Sequence, residues 1–179
     1  MIVCIDSSIL LHFLRPDTRY RLPDGKSEEE FDAADRVRFL IENLEHDKAK
    51  IIIPTPVLGE VLVHSGKDTD KFLETIRRSN RFDVAAFDQI SAIESAELHR
   101  RFGTTPANLR GNSTRQIIKI DRQIVAIAKV KGATTLYCDD ETMAKFAETI
   151  GIKVIKLQEL PARPLPPQRE LDLPQNEDS

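Results

Sequence analysis

The stretch "QIIKIDRQIVAIAKVKGATTLYCDD", residues 116–140, decides the fold class. In its first part Ile117, Asp121, Ile124 and Ala128 recur at helical spacing and share one stripe. Gly132 closes the predicted helix, which runs over 116–132. "TTLYCDD", 134–140, follows as a strand whose apolar residues do not alternate with polar ones, ending on two acids. A strand of that kind is buried on both faces, which is the habit of parallel sheets covered by helices.

The same unit recurs in both directions. "MIVCID", 1–6, reads as a buried strand ending in an acid, followed by a helix "SSILLHFLR", 7–15, with Ser7 as its cap. "KIIIP", 50–54, is a second strand, followed by a helix over 55–66 with Thr55 as cap, Pro56 in the first turn and Gly66 at the end. "RFDVAAF", 81–87, and "IKVIKL", 152–157, complete five strands. Further helices are predicted over 27–49, capped by Ser27, and over 68–79, 88–103 and 141–151. Residues 16–26 and 104–115 read as loops. Alternating strands and helices of this kind define an α/β sandwich, helices on both faces of a parallel sheet.

Residues 1–160 thus form the expected domain, and 161–179, "PARPLPPQRELDLPQNEDS", a Pro-rich acidic tail without helical period, expected to be disordered. No apolar stretch reaches the roughly 18–20 residues of a membrane span. The first residues lack the basic flank of a signal peptide, so a cytoplasmic protein with two reduced thiols, Cys4 and Cys138, is expected. Net charge is −3, which does not advertise nucleic-acid binding. Its distribution says more: Arg100, Arg101, Arg110, Arg115 and Lys119 fall between Leu98 and Ile120 with no acid among them. A local patch of that kind can meet phosphate on an acidic chain.

Four places hold an acid that packing alone does not explain. Asp6 and the pair Asp139–Asp140 stand at strand carboxyl ends, where open parallel sheets bind ligands. Each could instead cap the helix that follows. Asp121 lies on the aliphatic stripe of its helix, with Lys119 and Arg122 turned away from it. Glu60 is the one charge in the apolar run "IIIPTPVLGEVLVH", residues 51–64. Carboxylates facing inward without basic partners are costly. Convergence on a hard divalent cation, Mg²⁺ or Mn²⁺, explains all of them and implies phosphoryl chemistry.

"IDSSILLHFL", "PTPVLGEVLV", "IDRQIVAIAKVKGATTLYCDD" and "GIKVI", in this order, resemble the PIN-domain family, particularly VapC-type toxins of prokaryotic toxin–antitoxin pairs. The resemblance implies a five-stranded parallel sheet in the order 3-2-1-4-5 and Mg²⁺- or Mn²⁺-dependent endoribonuclease activity. Its acids fall on Asp6, Glu60, Asp121 and, at the fourth place, Asp140 with Asp139 beside it. Asp6, Asp121, Asp140 and Asp139 are then the candidate metal ligands. Cys138 replaces the hydroxyl residue usual before the fourth acid, which leaves the choice between Asp139 and Asp140 open. Ser8 takes the place of the family's small polar residue beside the first acid.

The implied partners are RNA and a small antitoxin. The antitoxin would land on the aliphatic surface of "SSILLHFL" and the Phe31–Leu44 helix, unless those helices pack on each other or form a homodimer. An RNA-processing nuclease without antitoxin, and a scaffold without chemistry, are the alternatives. His12 and His64 fit helix surfaces and no nucleophile–base spacing, and a cysteine zinc site is less expected than two buried thiols. No G-x-x-x-x-G-K-[ST] loop is present. Ser8 stands where a haloacid-dehalogenase phosphatase needs a second Asp, and the acid pair follows the fourth strand instead of the first, unlike a receiver domain.

Overall fold

Strand β1, Ile2–Ile5, lies at the centre of the sheet, with every residue from Val3 to Ile5 fully buried. The structure is a computed structural model that describes residues 1–20, 31–102 and 112–164, without the side chains of 112–117. The elements after β1 are α1 (Ser7–Leu14), α2 (Ala33–His46), β2 (Lys50–Pro54), α3 (Thr55–Ser65), α4 (Thr69–Arg78) and β3 (Phe82–Ala85). There follow α5 (Gln89–Phe102), α6 (Asn112–Val130), β4 (Thr135–Tyr137), α7 (Glu141–Thr149) and β5 (Lys153–Ile155), with short 3₁₀ turns at Gly66–Asp68 and Leu157–Glu159.

All pairings are parallel and the order is β3-β2-β1-β4-β5, as the resemblance implied. The three central strands carry the unalternating apolar runs: Ile51, Ile52 and Ile53 in β2 and Leu136 in β4 are fully buried. The edges are more polar. Asp83 of β3 pairs with Lys50 at 2.7 Å, and Val84 stays 41% exposed. Edge positions of this kind discourage pairing with another chain.

From β1 the chain winds outward to β2 and β3, then crosses back to β4 and outward to β5. Right-handed crossovers place α1–α4 over one face and α5–α7 over the other. Accordingly α1 packs on α2 and α3, and α6 on α5 and α7, while α3 and α6 also touch. The winding direction reverses between β1 and β4. That switch point is where an open α/β sheet leaves a crevice at its carboxyl ends.

Several local expectations are revised. The cap of α1 is Asp6, whose Oδ1 accepts from the Ile9 N–H at 3.0 Å, and Ser7 is already helical. The extended end of β1 puts the Asp6 carboxylate where the third amide of the helix needs it. Asp32 caps α2, its side chain accepting from the Asp35 N–H; Ser27, the expected cap, lies outside the described residues. Thr55 begins α3 instead of capping it, and its Oγ1 accepts from the Phe87 N–H at 3.3 Å. Gly66 ends α3 as expected, with φ +55°, a conformation that strains any residue with a Cβ. Helix α6 begins at Asn112, inside the stretch expected to be a loop; Gly103 and Arg110 lie outside the described residues.

The aliphatic residues offered as a landing surface serve the chain's own core. Ile9, Leu10 and Leu14 of α1 and Val37, Leu40, Ile41 and Leu44 of α2 are buried, and the two helices pack together. Beyond the 3₁₀ turn, residues 161–164 lie against α2. Arg163 donates to both oxygens of Glu42 at 2.7 and 2.9 Å and to Asp35 at 3.0 Å, with its guanidinium 5.3 Å from the Phe39 ring. Arg36 holds the Leu160 carbonyl oxygen from the same helix.

Candidate active site

Strand ends supply the first acids. Asp6 leaves β1 at the switch point and is 4% exposed. Its Oδ1 takes the Ile9 N–H and, at 2.8 Å, the Ser8 hydroxyl; its Oδ2 takes the Asp139 N–H at 3.4 Å. Burial pushes its pKa up to about 7, against the three donors that favour its charge; the nearby Asp139 carboxylate adds to the rise.

At the end of β4 the two neighbouring acids diverge. Asp140 is exposed and caps α7, accepting from the Met143 N–H at 2.6 Å. Asp139 is partly buried and accepts from the Leu157 N–H at 2.8 Å. The phenol of Tyr20 lies close enough to feel the Asp139 charge, and its pKa is pushed up to about 12, first by burial and then by that carboxylate.

Helix α6 brings Asp121 to the same crevice. Its Oδ2 is buried and has no hydrogen-bond partner. Burial raises its pKa to about 7, and the charges of Asp140, Glu60 and Asp6 push in the same direction. Carboxylates from β1, α3 and the start of α7 are therefore within electrostatic reach of Asp121 on α6. Sequence spacing had put Asp121 on the inner stripe, and it lies there.

Glu60 is placed differently from expectation. It is exposed, on the wall of a shallow cavity lined by Ser7, Ser8, Leu11, Glu60, Val61 and His64. Helix α3 buries only Val57, Val61 and Ser65, and Val63 is 80% exposed, so an apolar sequence here does not mean a helix buried all round. Glu60 faces the crevice from its open rim and carries no burial cost.

His12 is also corrected. It is 3% exposed, its Nδ1 has no partner, and its pKa is lowered by burial, so it stays neutral and is not a surface residue. Its ring meets Tyr20 edge-on at 5.8 Å. His64 is exposed as expected. Arg122 does turn away from Asp121, but into the protein: it is 6% exposed, with its guanidinium 4.9 Å from the Phe146 ring. Cys4 and Cys138 are free and buried, and burial raises both thiol pKa values far above neutrality. They are protonated and unsuited to thiolate ligation.

Of the basic stretch, Arg100, Arg101 and Lys119 are exposed. Arg100 is ion-paired with Glu97, and the Arg101 guanidinium lies 5.2 Å from the Phe102 ring. Arg122 and Lys119 are near enough to His99 for their charges to depress its pKa, after burial. Arg110, and the side chain of Arg115, lie outside the described residues. Tyr20 was not foreseen as part of the site; it sits in an aperiodic loop, and nothing local announces its contact with Asp139.

The donor set is all oxygen, the choice of a hard cation. The unpartnered Oδ2 of Asp121 and the excess of negative charge around it fit such an ion. Among the described residues no group of three or more possible ligands already stands closed around one point.

A doubly wound α/β fold with an acidic crevice at its switch point is the class that fold and site define. The PIN domain family profile matches residues 27–149, and the chain belongs to that family. The matched stretch includes Glu60, Asp121, Asp139 and Asp140 and leaves Asp6 and Ser8 outside it. No match is found among curated proteins. Among solved structures, the chain is similar to one from the crystal structure of VapBC2 from Rickettsia felis bound to a DNA fragment from their promoter. The two are 17% identical with a TM-score of 0.55, over 87% of this chain and 98% of that one. At that identity the likeness shows the fold.

Proposed function

We propose that the protein is a divalent-metal-dependent endoribonuclease, cytoplasmic, and the toxin component of a toxin–antitoxin pair. The observation that carries the nuclease reading is Asp121: a buried, unpartnered carboxylate oxygen crowded by the charges of Asp6, Glu60 and Asp140. Membership of the PIN family and the likeness to VapBC2 support the toxin reading. Among the described residues no helix is long and apolar enough to cross a membrane.

Asp6, Asp121 and Asp140 would hold the Mg²⁺ or Mn²⁺. When bound, such an ion polarises a phosphodiester and makes water a better nucleophile at neutral pH. Ser8 and the Ile9 amide fix the Asp6 carboxylate. Glu60, exposed on the open rim, would take the proton of the attacking water on its carboxylate. Arg101 and Lys119 are exposed and able to meet the phosphate backbone, while Arg100 is shared with Glu97.

Incubating total RNA with the protein and Mn²⁺, with and without chelator, tests the activity. Cleavage that vanishes in chelator and in Asp121→Asn is expected. Intact RNA from Mn²⁺-loaded protein would sink the reading. Co-purification from the native host tests the pair: a small bound partner is expected, and recovery as a free, non-toxic monomer would favour RNA processing.

A further inference from the structure

Asp139 and Asp140 are adjacent, exchangeable by sequence, and bonded to different parts of the molecule. We propose that Asp139 is not a metal ligand but a positioning residue, which locks the end of β4 so that its own backbone N–H orients Asp6. The assignment rests on the metal site proposed above and decides which of its acids belong to it.

Two hydrogen bonds fix Asp139, one through its side chain and one through its backbone. Its Oδ1 accepts from the Leu157 N–H at 2.8 Å, at the start of the 3₁₀ turn after β5. Its backbone N–H donates to Asp6 Oδ2. The side chain is thus committed to a donor from the turn after β5, and its amide reaches the oxygen of Asp6 that neither Ser8 nor Ile9 holds.

The surroundings of Tyr20 are braced. Its ring stacks on Phe31 at 5.4 Å and meets the buried His12 edge-on. Phe31 in turn carries the Arg36 guanidinium 4.4 Å from its centre. Tyr20 is therefore held by packing on two sides, close enough to feel the charge of Asp139. Asp140 shows the opposite pattern: its side chain makes a local cap to the Met143 N–H, and its charge is the foremost of those acting on Asp121. Asp139 acts on Asp6, His12 and Tyr20.

Groups that orient a ligand without touching the metal typically change metal affinity or activity by about 10–100-fold when removed. An asparagine at 139 keeps an oxygen for Leu157 and leaves the backbone N–H in place, whereas alanine releases the strand end. Mn²⁺ alone, titrated by calorimetry, is the first probe. Asp139→Asn should keep the wild-type Kd within about threefold, and Asp140→Asn should weaken it about tenfold or more. Equal weakening by the two variants would make Asp139 a ligand and overturn the assignment.

The second probe is RNA cleavage. Asp139→Ala should lower kcat about tenfold or more with KM unchanged, Asp139→Asn should restore most of it, and Tyr20→Phe should add little to Asp139→Ala. A fall in melting temperature with kcat intact would reduce Asp139 to a merely structural role and also overturn the proposal. Wild-type protein that binds Mn²⁺ but cleaves no RNA would sink the nuclease reading and leave this assignment to the calorimetric comparison. Wild-type protein that binds no Mn²⁺ would overturn both.

Discussion

Asp6 and Asp121 are both carboxylates raised to about 7, yet the two sides of the crevice that hold them are built on different terms. On the β1–β4 side, Asp6 is buried and its oxygens accept three donors, one of them the cap bond of α1. On the α6 side, the inner oxygen of Asp121 accepts none. The same displacement in pKa therefore marks a group woven into the fold in one case and a group short of a partner in the other. Removing the first should damage the protein. Removing the second should damage only what the protein binds.

The sharpest way to break this contrast is Asp6→Ala against Asp121→Asn, unfolded in urea with chelator present. Asp6→Ala loses a helix cap and leaves buried N–H donors unpaired, a cost of about 2–4 kcal/mol. Asp121→Asn relieves like-charge crowding and should leave the metal-free protein as stable as wild type, or more so. Equal destabilisation would make Asp121 a structural partner.

Next comes the response to metal. At a Mn²⁺ concentration 100 times its Kd, mass action should stabilise wild type by about 2.7 kcal/mol. Asp121→Asn should lose most of that gain. A melting temperature indifferent to Mn²⁺ in wild type would remove the premise.

Acidity probes the same pair. Both acids rise from 3.8 to about 7 on folding, so the native state keeps protons that the unfolded chain releases. Their contribution is fully present below about pH 4 and is lost as the pH climbs through 7. The buried His12 and the partly buried His99, both with lowered pKa, run the other way, gaining as the pH rises toward their unfolded value of 6.5. Chelated wild type should therefore lose more stability between pH 5 and pH 8 than chelated Asp121→Asn, as read from urea midpoints. Identical losses would show that Asp121 does not hold a proton in that window.

The smallest effect belongs to the open rim. Glu60→Gln should change stability by less than about 0.5 kcal/mol, as exposed substitutions usually do, while slowing RNA cleavage. Cleavage at the wild-type rate would remove Glu60 from the site.

The sheet was legible because its central strands are unbroken apolar runs, with acids at the ends of β1 and β4. Asp121 was legible because helical spacing leaves it no outward face. Glu60 was legible as an anomaly and misplaced in depth: α3 buries one narrow stripe, which its apolar composition overstates. His12 sits among Ile9, Leu10 and Leu14 on a helix covered from two sides, a tertiary fact that its own sequence does not reveal. Periodicity turned Arg122 away from Asp121 but describes one helix at a time, so it could not show that Phe146 of α7 comes to meet it. Tyr20 reaches Asp139 across more than a hundred residues, beyond any local pattern.

That Asp6 and Asp140 each begin a helix has a bearing on how other chains of this architecture are judged. An acid at either place would be retained for capping even if all chemistry were lost, so its presence is weak testimony to a working enzyme. Asp121 stands in mid-helix, facing inward, with an oxygen that bonds nothing. A chain that keeps an acid there bears a cost that its fold does not require, and that position is the one to inspect first when deciding whether a relative cuts anything.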